Sequence, residues 1–123
     1  MAAYKLPLKI LQGETFAKLV TWKVGPTEAT AVPVDLTGCA ARMQVRAKLT
    51  SPDVLLEFTI ENGGIVLGGA DGTIEYARMS DSETAALGWR DAVYDLEVVF
   101  SDSSVRRMFY GPVSISPEVT RVN

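Results

Sequence analysis

Tyr94-Asp95-Leu96-Glu97-Val98-Val99-Phe100 decides the fold class. Tyr94, Leu96, Val98 and Phe100 fall at every second place, with Asp95, Glu97 and Val99 between them. Successive side chains of a β-strand point to opposite faces, so this spacing lines one face with apolar groups. The other face is mostly polar, as in an antiparallel sheet with one side in water.

The same period recurs upstream. Ala41, Met43, Val45 and Ala47 alternate with Arg42, Gln44 and Arg46, and Val54, Leu56, Phe58 and Ile60 with Leu55, Glu57 and Thr59. Further strands are predicted over 6–11, 16–24, 64–67, 72–77 and 105–115. Gly111-Pro112 lies in the last of these, where proline cannot donate to a ladder, so a bulge or bend is expected there. Turn chemistry separates the runs: Gly25-Pro26-Thr27, Asp35-Leu36-Thr37-Gly38, Ser51-Pro52-Asp53, Asn62-Gly63-Gly64 and the segments 68–72 and 101–104. Turn signals at roughly 8–12-residue spacing are those of sandwiches and barrels.

One stretch breaks the pattern. The segment 80–87 reads as a short helix, with Ser80 and Glu83 at capping-box spacing. Gly88 is placed to end it in a left-handed conformation. So short a helix is unstable alone, so Ala85 or Leu87 should dock on the sheet. The whole chain, 1–123, reads as one domain, and 117–123 is expected to extend as a tail.

Composition narrows the functions. The chain has 123 residues and a net charge of -3. That length can bury a core without disulfide or metal staples. The mild acidity gives no electrostatic reason to bind nucleic acid or an anionic membrane. The N-terminal residues show no apolar core with a cleavage pattern, and no run approaches the about 20 apolar residues of a spanning helix. A soluble protein without an export signal is expected.

Histidine is absent, which removes the commonest general base and every Ser-His-Asp or Cys-His arrangement. The single cysteine, Cys39, can make no internal disulfide, and without partner ligands no structural zinc site forms. Cys39 reads as a small buried or half-buried apolar residue. Asp95 and Glu97 share a strand face and raise the question of a cation site or a paired-carboxylate hydrolase. The solvated side of a strand, paired across to Arg42 or Arg46, accounts for them more simply. The glycine-rich segment 63–72 holds no phosphate loop and no calcium loop. Arg106-Arg107 is expected to straddle a strand, one side chain exposed and the other with its stem along the core. Trp22, Tyr94, Phe100, Phe109 and Tyr110 fall mostly on apolar phases, whereas Trp89, after Gly88, is a candidate exposed contact anchor. No catalytic residue, metal or cofactor is expected.

Several segments together carry a resemblance: Gly13-Glu14-Thr15-Phe16, then Val34-Asp35-Leu36-Thr37-Gly38 leading into Ala41-Arg42-Met43-Gln44-Val45-Arg46, then Ala92-Val93-Tyr94-Asp95-Leu96-Glu97, Arg106-Arg107, Gly111-Pro112-Val113 and Pro117-Glu118-Val119-Thr120-Arg121. The chain resembles small tailed-bacteriophage and prophage virion proteins, and is similar to the N-terminal domain of phage baseplate upper proteins. The resemblance implies an immunoglobulin-like β-sandwich with one short crossover helix and a non-enzymatic role in virion assembly. It implies contacts with other virion proteins and with copies of the chain in a symmetric, multi-copy particle. Trp89, Arg106 and Arg121 are the candidate interaction residues. The alternative is a carbohydrate- or receptor-binding accessory sandwich, for which Trp89 and the Asp95/Glu97 face are the motive.

Overall fold

The computed structural model describes residues 4–120. In chain order the elements are β1 (Tyr4–Lys5), β2 (Leu8–Leu11), β3 (Phe16–Thr21), β4 (Lys23–Val24), β5 (Val32–Pro33), β6 (Ala40–Arg46), β7 (Leu56–Thr59), β8 (Val66–Leu67), β9 (Thr73–Met79), α1 (Asp81–Ala85), β10 (Asp91–Val99) and β11 (Val105–Ser116). One sheet runs β1-β11-β10-β6-β7, with β2 also on β11, and the second runs β3-β9-β8. β4 and β5 form a small hairpin beside them. Strands of the immunoglobulin-type sandwich divide between two sheets in this order, and the chain is an all-β, immunoglobulin-like sandwich with one short crossover helix.

The alternation that predicts β10 is realised along its length: Ala92, Tyr94, Leu96 and Val98 are buried, and the residues between them are half-buried. β6 matches it with Ala41, Met43 and Val45 inside. Tyr76 of β9 joins the layers. Its ring stacks on Phe109 of β11 at 5.6 Å and 9° between planes, and lies 6.2 Å from Tyr94. The Tyr94 hydroxyl donates to the Leu6 carbonyl at 2.7 Å, so this buried phenol has a partner at the rim, as its position predicts. Burial raises its pKa well above the ordinary value, which keeps it a neutral donor.

The helix begins as read. The Ser80 hydroxyl accepts from the Glu83 amide at 3.2 Å, and the Glu83 carboxylate accepts from the Ser80 amide at 2.9 Å. It ends differently. The cap is Ala86 in a right-handed conformation, and Gly88 does not terminate it. Leu87 docks, but Ala85 is exposed and the buried residue of the helix is Thr84.

Other departures have physical causes. Of the predicted strand 6–11 only Leu8–Leu11 form a strand, β2; Leu6-Pro7 separate it from β1, which precedes the predicted range, and both run parallel to β11. This makes one margin of an otherwise antiparallel sheet parallel. Opposite the split, Gly111 has φ +156, and a Cβ there would stand 3.0 Å from the Leu6 carbonyl oxygen. Gly111-Pro112 itself stays in register with β10, so the expected bulge is not there; the shift falls between Leu96 and Glu97. It inserts Met108 into β11, so Met108 and Phe109 are both buried. Arg107 shares the outer face with its partner Glu97 and Arg106 keeps the phase of its partner Val98, so the pair straddles the strand as expected, but both are exposed. A second shift lies where Ala77 of β9 adopts φ +56. The predicted strand 16–24 breaks at Trp22, and Ala47, Val54 and Ile60 lie outside their strands and are exposed.

Candidate functional site

Two surfaces gather the residues that chemistry would use. The first is the outer face of the larger sheet, a concavity of about 640 Å³ lined by Arg42, Gln44, Asp95, Glu97, Arg107 and Tyr110 among others. Its side chains largely satisfy one another. Arg42 Nε donates to Glu97 Oε1 at 2.8 Å, Gln44 Nε2 to Glu57 Oε2 at 3.0 Å, and Arg46 Nη2 to Gln44 Oε1 at 2.8 Å. The Arg107 guanidinium lies 5.1 Å from the Tyr110 ring centroid. The predicted pairing of the acidic row with Arg42 is thus present. Asp95 is the exception: burial, and next the Glu97 charge, hold its carboxyl above the ordinary value. No group of three or more potential metal ligands exists among the described residues.

The second surface is the flank where the edges of the two sheets meet. β3 is an edge strand whose neighbour is β9 alone. Trp22 N donates to Gly72 O at 2.8 Å, which fixes the phase of the antiparallel ladder. Lys18 and Val20, in step with Trp22, therefore turn their backbone groups toward β9; Ala17, Leu19 and Thr21 turn theirs outward. No backbone or side-chain hydrogen bond meets the outward groups among the described residues. Beneath this edge a groove of about 490 Å³ separates β3 from β1. Leu6, Val20, Trp22, Met108 and Phe109 supply its apolar wall. The indole N–H of Trp22 is buried without an acceptor.

Both ends of β3 are anchored. At its start, Thr84 Oγ1 accepts from the Gly13 amide at 3.0 Å and donates to the Glu14 carbonyl at 2.8 Å. At its end, Trp22 O accepts from Val34 N at 2.9 Å.

The three candidate interaction residues do not come together. Trp89 is half-buried and packs on the core, so it is no exposed anchor. It precedes the start of β10, while Arg106 pairs with Val98 near the other end of that strand. Arg121 lies outside the described residues. Cys39 is half-buried against the core, and burial pushes its thiol above the ordinary value, as suits an inert packing residue. Asp35 Oδ1 accepts from the Thr37 amide at 2.9 Å, closing the turn read there. Sequence reasoning missed Lys18, Leu19 and Val20. Their signal is a proline-free strand with an exposed leucine, but only sheet order reveals which strand is an edge.

No family model matches the chain, and no curated protein matches it. Among solved structures it is similar to Drosophila OTK, extracellular domains 3-5, at 12% identity and a TM-score of 0.35; the alignment covers 97% of this chain and 34% of that one. The chain thus spans about a third of the length of that structure.

Proposed function

We propose that this chain is a non-enzymatic structural module of a tailed-phage particle, held in the virion by contacts with neighbouring proteins and with copies of itself. The observation that carries the assembly reading is the unpaired β3 edge. A strand with unmet N–H and C=O groups is a template for another chain. The sequence resemblance to virion proteins supplies the particle. The interior favours scaffold over catalyst: the one fully buried polar residue among the described residues, Thr84, holds a turn.

Mass spectrometry of purified particles, with sedimentation and cross-linking of the isolated protein, tests this. The chain should be found in the particle at many copies and should cross-link to a neighbour. A strictly monomeric chain absent from particles overturns the proposal.

A further inference from the structure

We propose that the flank between β1 and β3 is a docking groove for an extended, acidic segment of another polypeptide, which adds to β3 as a strand. This rests on the reading of the chain as an assembly module and names the partner of its open edge.

Three observations converge. Ala17, Leu19 and Thr21 direct backbone donors and acceptors outward, and no hydrogen bond among the described residues meets them. Main-chain pairing to such an edge supplies affinity, and sockets for alternate side chains supply specificity. Six residues, Phe16–Thr21, are enough for an ordinary strand. The sockets are present: the groove wall presents Leu6, Val20, Met108 and Phe109, so the residues of an added strand's inward row that meet this wall should be apolar.

Charge selects the residue of that row that meets Lys18. Lys5 and Lys23 line the groove, and Lys18 lies on the same row of β3 as Val20. Glu28 is the one acid in the lining. The chain as a whole carries -3, so this flank runs against the general balance. An acid in the incoming strand's inward row would stand opposite Lys18, and opposite charges across a strand pair attract.

The same charge disfavours the simplest self-association. Two β3 strands paired antiparallel about Lys18 or Leu19 keep the two lysines opposite or diagonal to each other, where like charges repel, and pairing about Val20 sets each lysine opposite the other copy's Trp22 with no acid to meet it. An inward-row lysine on an edge strand is a device that blocks self-pairing. The occupant is therefore a different, acidic segment.

The test uses the full chain and two acetylated, amidated heptapeptides, Thr-Val-Thr-Glu-Thr-Val-Thr and its counterpart with lysine for glutamate. Amide exchange and chemical shifts are followed by NMR. The acidic peptide should slow exchange of the Ala17, Leu19 and Thr21 amides about tenfold or more at saturation, and the lysine peptide should bind at least about tenfold more weakly. Lys18→Glu should narrow or reverse that preference while leaving the rest of the spectrum unchanged. An unresponsive β3, equal binding of both peptides, or association of the free chain through β3 would overturn the inference. A chain found in particles whose β3 ignores the peptide leaves the assembly reading standing. A chain that binds the peptide at β3 but is monomeric and absent from particles keeps the groove and removes the assembly reading.

Discussion

The sandwich has two edges of opposite character. β7 ends the larger sheet and β3 starts the smaller one. On β7 the backbone groups turned away from β6 are nearly all met locally. Asn62 Oδ1 accepts from Thr59 N at 2.9 Å, Asn62 Nδ2 donates to Glu57 O at 2.9 Å, and Ile65 N donates to Thr59 O at 3.1 Å. The turn after the strand folds back and closes the edge. On β3 no hydrogen bond among the described residues does this: the strand is anchored at its ends and left open along its length. An edge can thus be closed by its own loop at little cost, and one that is not closed is available to a partner.

The largest effect is expected where the open strand is held. Thr84→Val keeps the shape of the side chain and removes the hydroxyl that joins Gly13 N and Glu14 O. Two partly buried backbone groups lose their partner, so stability should fall by about 2–3 kcal/mol in urea unfolding. The Lys18 and Val20 amides should also lose exchange protection ahead of β6 and β10. Uniform loss across both sheets would mean that the turn does not anchor β3 in particular.

A smaller loss is expected on the closed edge. Asn62→Ala removes three hydrogen bonds, the third being that from Gly64 N to Oδ1 at 2.9 Å. Water can replace part of each at the surface, so about 1–2 kcal/mol should be lost. The sharper readout is association. With Glu57 O and Thr59 N bare, β7 becomes a second open edge, and the variant should sediment as dimers or larger species at concentrations where the parent does not. A variant that loses stability yet does not associate more than the parent would show that Asn62 shapes the turn without guarding the edge.

The two edges were unequally legible in the sequence. Asn62-Gly63-Gly64 announces a turn, and an asparagine there is a natural partner for nearby backbone groups, so the closure of β7 is implicit in its residues. The openness of β3 depends on β1 and β2 pairing with β11 and leaving β3 uncovered, a choice made by the whole fold. Alternation located β6 and β10, and the capping box located α1, because both signals are local. It failed where a bulge changes its phase. The extra residue at Met108 set two consecutive residues, Met108 and Phe109, inside and moved Arg107 to the outer face, and one at Ala77 buried two consecutive residues of β9. A bulge is a two-strand property, and one strand's sequence carries only half of it. Trp89 failed differently: a tryptophan beside a helix-ending signal packs on the core as readily as it faces a partner.

The smallest effect concerns the strip of the outer face that leads from β10 to β7. Asp95 stands opposite Gln44, which bonds on to Glu57 of β7. Its carboxyl is held above the ordinary value of 3.8 by burial first and Glu97 second, with Arg107 and Arg46 opposing. The folded state therefore binds this proton more tightly than the unfolded chain. The stabilising contribution is complete below the ordinary value and is lost as pH rises through the raised one. Asp95→Asn removes the loss, so the variant should be slightly more stable than the parent at neutral pH, by a few tenths of a kcal/mol on a half-exposed face. The gap should close on acidification below the ordinary carboxylate value, as thermal melts across pH would show. A variant less stable at neutral pH would mean that the charged carboxylate has a favourable partner, and the outer face would then rival β3 as the place where this chain meets another molecule.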